Sequence, residues 1–245
     1  MNTLEFSSGA LLTATLIWLV GPIIWILLAR LRLQAPLTIA IIGAATFLLA
    51  WLGSVGTSTV LTVAGVAPSS LIWAVAVSCS AGVCEETSRY LVFRTAYMRR
   101  HPGWGTGVMH TLGHSGIESA IECLTTLAAL ALVIWAAGLI PADQLESLRQ
   151  TTGTDLLFTA GLRVGMGPIL HGLFATFAYA AVTRGRPALL GLAIAGHAGH
   201  DIIAHRISSL GETAVYVWLG ASIVAYAALI LWLRARWFTE DSAPA

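Results

Sequence analysis

Lysine is missing altogether, since all 13 basic residues of this 245-residue chain are arginine. Charge of either sign is scarce, at 10% of residues, and the formal net charge is +1. No bulk electrostatic attraction to nucleic acid follows from such a balance, and no nucleic-acid partner is expected. Cysteine is equally sparse. Cys79, Cys84 and Cys123 lie in apolar runs without a CxxC pair, so they read as small core residues rather than disulfides or zinc ligands. Cys84 beside Glu85 makes a poor candidate nucleophile, with no histidine near it in sequence. The HExxH pattern of zinc proteases is absent, as are internal repeats, a long linker and a soluble domain. The first apolar run lacks a basic leader and a small-residue cleavage site, so it is expected to be a retained helix rather than a signal peptide.

What the chain has in abundance is apolar surface. Hydrophobic residues make up 57% of it, and the mean hydropathy is +0.80. Both values belong to polytopic membrane proteins. Runs of about 18 or more apolar residues predict seven spanning helices. They fall near 9–30, 36–55, 69–98, 105–139, 155–183, 187–206 and 213–236. The Gly-, Ser- and Thr-rich segment 53–67 could instead be re-entrant, which would change the count by one. The expected fold class is therefore an all-α transmembrane bundle forming one integral-membrane domain over 1–245, with a catalytic core in 69–206.

Arginines cluster at alternate connections: Arg30 and Arg32, then Arg94, Arg99 and Arg100, then Arg184 and Arg186, then Arg234 and Arg236. The connections between them are uncharged, mostly acidic, or carry Arg206 with Glu212. The positive-inside rule predicts an outside N-terminus and a cytoplasmic C-terminus.

Against that apolar background the stretch Val83 to Tyr90 stands out, because it holds Glu85, Glu86 and Arg89. An ionised side chain at mid-membrane costs about 2.5–3.5 kcal/mol on insertion scales, so three together need a reason. Helical geometry puts Glu85 and Arg89 on one face and turns Glu86 away. An internal ion pair locking two helices is the plain reading; a buried general base held by a cation is the sharper one. The fourth predicted helix carries His110, His114, Glu118 and Glu122 at four-residue spacing, a slowly winding polar ladder. The fifth carries Arg163 and His171; the sixth carries His197, Asp201 and His205, with His200 to one side. Counted from their cytoplasmic ends, Glu85, His114, His171 and His197 all lie roughly 14–20 Å deep. One shared cavity is the economical explanation.

A carboxylate among imidazoles in such a cavity can deprotonate a water, and a second histidine with an aspartate one turn on can hold a donor toward an oxyanion. That set describes acyl hydrolysis without a covalent intermediate. The same groups could bind a metal, with His114, His171 and His197 as ligands. They could also line a proton or cation pathway, although no pair of half-helices or inverted hydropathy symmetry is visible.

Glu85-Glu86-Thr87-Ser88-Arg89, Gly113-His114-Ser115-Gly116-Ile117-Glu118, His171 and His197-Ala198-Gly199-His200-Asp201, in this order, resemble the YhfC-type glutamic intramembrane proteases. These look like relatives of the CAAX-processing and bacteriocin-maturation protease superfamily, whose signature is EExxxR, FxxxH and HxxxN or HxxxD. The spacing here is EExxR, and Gly rather than the family's Phe pattern precedes His114. The resemblance implies Glu85 as the water-activating base, assisted by His114, and His197 with Asp201 as the oxyanion site. It gives Glu86 and Arg89 supporting roles that orient and balance the first carboxylate; Glu118 falls in the same motif and is taken as supporting. His171 fits the YhfC-type pattern and could take the place of His114 beside the water. No cofactor and no resident metal are expected on this reading. The implied substrate is a membrane protein or a lipid-linked peptide, cleaved in a cell membrane of prokaryotic type. The oligomeric state is left open. Because the superfamily also resembles the non-catalytic scaffold subunit of gamma-secretase, the alternative is a scaffold or immunity-like interaction protein without turnover.

Overall fold

The computed structural model describes residues 8–135, 138 and 152–238. Eight helices follow one another among these residues: α1 (Ser8–Leu33), α2 (Leu37–Val63), α3 (Leu71–Phe93), α4 (Ala96–Arg99), α5 (Trp104–Trp135), α6 (Gly153–Thr183), α7 (Ala188–Ser208) and α8 (Glu212–Trp237). No strand occurs among them. Five helices, α1, α2, α5, α6 and α8, are long and apolar enough to cross a membrane. The other two long helices, α3 and α7, have 23 and 21 residues and carry most of the polar cluster. Large apolar side chains such as Leu31, Val63 and Val217 are exposed around the bundle. An outer surface of that kind is a liability in water and an ordinary one in lipid.

Two sequence expectations change. The helix expected to stop near residue 55 continues to Val63, so 53–63 belongs to α2 and is not re-entrant. Its hydroxyls fold back on the helix: Thr57 donates to Gly53 O, Thr59 to Val55 O and Thr62 to Ser58 O. Polar side chains satisfied in that way need no water and no broken backbone. The helix expected over 69–98 breaks after Phe93, where Thr95 caps a new turn by accepting the Met98 N–H at 3.4 Å. The polar connection expected near 140–155 lies mostly outside the described residues.

Backbone contact seats the polar helices. Gly113 of α5 faces Ala40 of α2 so closely that a Cβ there would stand 1.8 Å from the Ala40 carbonyl oxygen, and Gly43 faces the His110 carbonyl in the same crossing. Only glycine permits that approach. It presses the histidine-bearing part of α5 against α2 and turns its polar ladder inward.

The buried stripe of α3 (Ala74, Ser78, Gly82, Glu85, Arg89 and Phe93) recurs every three to four residues. It packs chiefly on α7 and α2, with α6 alongside. Two apolar clusters close the bundle on either side of the polar level. One gathers Ala35, Ile39, Phe93, Met98, Met109 and Tyr179 at the arginine-bearing end. The other gathers Ala14, Trp18, Cys123, Leu156 and Ala160 toward the opposite end.

Candidate active site

Arg89 is the hub of the buried polar cluster. It is itself fully buried, and its Nη1 donates to Glu86 Oε1 in a short contact. Its Nη2 lies 3.1 Å from Glu85 Oε2 and 2.9 Å from His171 Nδ1, and also touches His114 Nε2. A guanidinium Nη carries two hydrogens, so three neighbours cannot all be partners. Glu85 accepts one. His171 accepts the other at Nδ1, because its Nε2–H donates to Glu118 Oε2 at 2.6 Å. The Nε2–H of His114 is then free to donate to Glu85 Oε2 at 2.8 Å. Taken as neutral imidazoles, His114 and His171 both carry the proton on Nε2 in this accounting.

A cavity of about 450 Å³ lies against this cluster. Glu85, Glu118, His171, His197 and Asp201 line it; His114 does not. His114 is fully buried behind Glu85, with Phe47 edge-on to its ring at 4.9 Å. His171 rather than His114 therefore shares the cavity wall with Glu85. Among the remaining wall residues, Thr159, Ala204 and Leu219 lie toward the end of the bundle opposite the arginine-rich connections.

His197 faces His171 across the cavity, with ring centroids 5.6 Å apart. Its Nδ1–H donates to Glu86 Oε1 at 2.8 Å, leaving Nε2 3.6 Å from Asp201 Oδ2. That last distance is an ion-pair separation rather than a hydrogen bond. Phe174 stacks flat on the imidazole at 5.1 Å and fixes the ring plane. Glu86, turned away from Glu85 as its helical position demands, thus holds His197 from behind.

The upper part of the α5 ladder forms a second cluster. Arg163 of α6 donates to Glu118 Oε1 at 3.2 Å and pairs closely with Glu122. The ladder's drift of about 40° per step separates its members. His110, at one end, faces Thr46 of α2 at 3.3 Å and lies outside the cavity. His200 meets the Tyr226 hydroxyl at 3.1 Å and stacks on Trp218. Of the residues singled out in the sequence, Glu85, Glu86, Arg89, His114, Glu118, His171, His197 and Asp201 come together. Phe174, Phe47 and the Arg163–Glu122 pair complete the surroundings. Arg163 and Glu122 stand out in the sequence as well; of the two aromatics, only Phe174, three residues after His171 on the same helix face, is hinted at by spacing.

Whether these groups suit a metal ion can be tested on donor chemistry. Ligand atoms of Glu85, His171 and His197 lie within 4.8 Å of one another. Two imidazoles and a carboxylate form one of the usual ligand sets of a catalytic zinc site. Both histidines also have the far nitrogen held by a carboxylate, Glu118 or Glu86, as metal-bound histidines commonly do. The residues fit in type and reach, with Glu85 in the place expected for His114. One feature competes: Arg89 already donates to His171 Nδ1 and Glu85, two of the three donors.

A helical membrane protein with a buried Glu/His/Arg cluster on an internal cavity has the makings of an intramembrane hydrolase. The sequence model of the family described as YhfC intramembrane metalloprotease matches residues 16–224, and the chain belongs to that family. No curated protein and no solved structure matches it.

Proposed function

We propose that the protein is an intramembrane endopeptidase in which Glu85 activates the attacking water. The observation that carries this reading is the setting of Glu85 alone among the buried acids of α3: it reaches the cavity wall while Arg89 and His114 grip its Oε2 from behind. Two donors on one oxygen orient the carboxylate and leave Oε1 as the acceptor for a water proton. His171 supports a water beside Glu85 from the same wall. His197 supports the oxyanion: with both nitrogens protonated it gives one N–H to Glu86 and presents the other to a carbonyl oxygen, Asp201 balancing the charge. The proton taken by Glu85 is returned to the leaving amine, so no covalent intermediate is needed.

A specific observation favours a second, metal-dependent reading, namely the Glu85, His171 and His197 donor set. Those three residues would hold the ion. When bound, a divalent ion supplies Lewis-acid polarisation of a carbonyl and a more acidic water. Glu118 and Glu86 would keep the two imidazoles oriented in either case.

The same reading treats all seven long helices as membrane spans of one domain, with the N-terminus outside. The arginine-rich end is then cytoplasmic and the cavity opens from the other side, the direction from which substrate helices or lipid-linked peptides would be received. The deciding experiment is cleavage in detergent of a panel of single-pass helices and prenylated peptides, by wild type and Glu85→Gln, with and without a strong chelator. Cleavage that is lost in Glu85→Gln and resists chelation supports the glutamic mechanism. Chelator-sensitive cleavage with stoichiometric metal in the purified protein supports the second reading. No cleavage of any panel member by a well-folded protein would move the assignment to a scaffold.

A further inference from the structure

A second hollow lies away from the catalytic cavity, at the arginine-rich end, and it has two compartments. The outer one encloses about 700 Å³ between the end of α1, the start of α5 and the end of α8. Arg32, Gln34, His101 and Arg234 line it. The inner one is a slot of about 280 Å³ running into the bundle between α5, α6 and α8, with walls that include Val108, Leu112, Ile169 and Ile230. Trp104, Leu231 and Phe238 belong to both, so the compartments share one wall. Arg234 lies over the Trp104 ring at 5.9 Å, at the junction.

Among the described residues the charge here is of one sign. No described residue in the connections at this end is an aspartate or glutamate, and Arg32 has no carboxylate partner among the described residues. A membrane-spanning chain holds this mouth at the level of lipid headgroups, where an unpaired arginine attracts anionic lipid. A cationic, water-accessible chamber leading to an apolar slot directed along the helices complements a molecule with a charged head and a hydrocarbon tail. A soluble phosphate would use the chamber alone and leave the slot without purpose. A zwitterionic lipid would gain little from two arginines with no acid beside them among the described residues.

We infer that this hollow binds an anionic glycerophospholipid of the surrounding bilayer, with its phosphate between Arg32 and Arg234 and one acyl chain in the slot beside Trp104. The inner end of the slot reaches Thr111 and Gly172, the latter adjacent to His171, so a bound chain would brace the α5–α6 contact next to the catalytic cluster.

The test uses the full chain in nanodiscs and Trp104 as reporter, its contribution isolated by subtracting the Trp104→Phe variant. Phosphatidylglycerol or phosphatidylcholine brominated on the acyl chain is titrated in as quencher. The expected result is half-maximal quenching of Trp104 at a phosphatidylglycerol fraction at least about ten-fold lower than for phosphatidylcholine. Each of Arg32→Gln and Arg234→Gln should cut that preference by about five-fold, whereas Arg186→Gln, an exposed arginine at the same end but outside the hollow, should leave it unchanged. Gly107→Leu tests the slot separately. A Cβ there makes ordinary van der Waals contact with the Tyr179 ring 3.8 Å away, and the larger side chain should remove Trp104 quenching by both lipids. Equal quenching by the two headgroups, or a preference that survives loss of both arginines, would overturn the proposal. So would relief of quenching by millimolar inorganic phosphate, which would identify a free anion as the occupant.

Discussion

Two clusters in this protein have the same composition, two glutamates and one arginine, and differ in nearly everything else. In the first, Arg89 joins Glu85 and Glu86 on its own helix and is fully buried. In the second, Arg163 joins Glu118 and Glu122 of a neighbouring helix, with its side chain 38% exposed. The inner arginine cannot be relieved by water, so its neighbours are fixed in number and role. Each of its four contacts is a carboxylate or an imidazole nitrogen. The outer arginine is partly open to the cavity, and its pairing matters through Glu118, which holds His171. Burial turns the same ion pairs from surface decoration into a scaffold for chemistry.

The comparison can be broken most severely at its centre. Glu85→Gln keeps the shape of the cluster but removes the proposed proton acceptor, so cleavage should fall by at least about 100-fold, with thermal stability near wild type. A fall in activity accompanied by loss of folding would instead assign Glu85 a structural role. Arg89→Met should strand two buried carboxylates. The expected loss is about 3–5 kcal/mol, read as a much lower melting temperature and poor accumulation in membranes. Arg89→Lys should rescue little, since one ammonium cannot reach the separate Nη1 and Nη2 partners.

The outer cluster should respond more gently. Glu118→Gln replaces a charged acceptor by a neutral one at His171, so kcat should drop about ten-fold with KM little changed, and single-turnover kinetics would separate the two. Arg163→Gln should destabilise clearly less than Arg89→Met, as measured by thermal unfolding in matched detergent. An Arg163→Gln effect as large as that of Arg89→Met would erase the distinction between the clusters.

Much of this arrangement was legible before any coordinates. The long apolar runs predict the helices, the four-residue ladder on α5 and the His197–Asp201 spacing predict inward faces, and common depth predicts one cavity. What spacing could not convey is which polar residues touch it. His114 and His171 looked interchangeable in sequence, because both fall on inward helix faces at similar depth. Packing separates them: the Gly113 crossing with α2 drives His114 behind Glu85, and α6 leaves His171 on the wall. The Glu85–His171–His197 donor grouping was invisible for the same reason, as was the continuation of α2 through its hydroxyl-rich segment.

The sequence by itself determined a helical membrane protein, the level at which its charges are buried, and the identity of the groups that share that level. Periodicity and the cost of placing charge in lipid are local properties of each helix, and they suffice for that. The tertiary structure alone decided the partners: which imidazole faces which carboxylate, which acid reaches the cavity, and which side chains line it. Those depend on helix rotation and close backbone crossings between segments far apart in the chain, and no single helix encodes them.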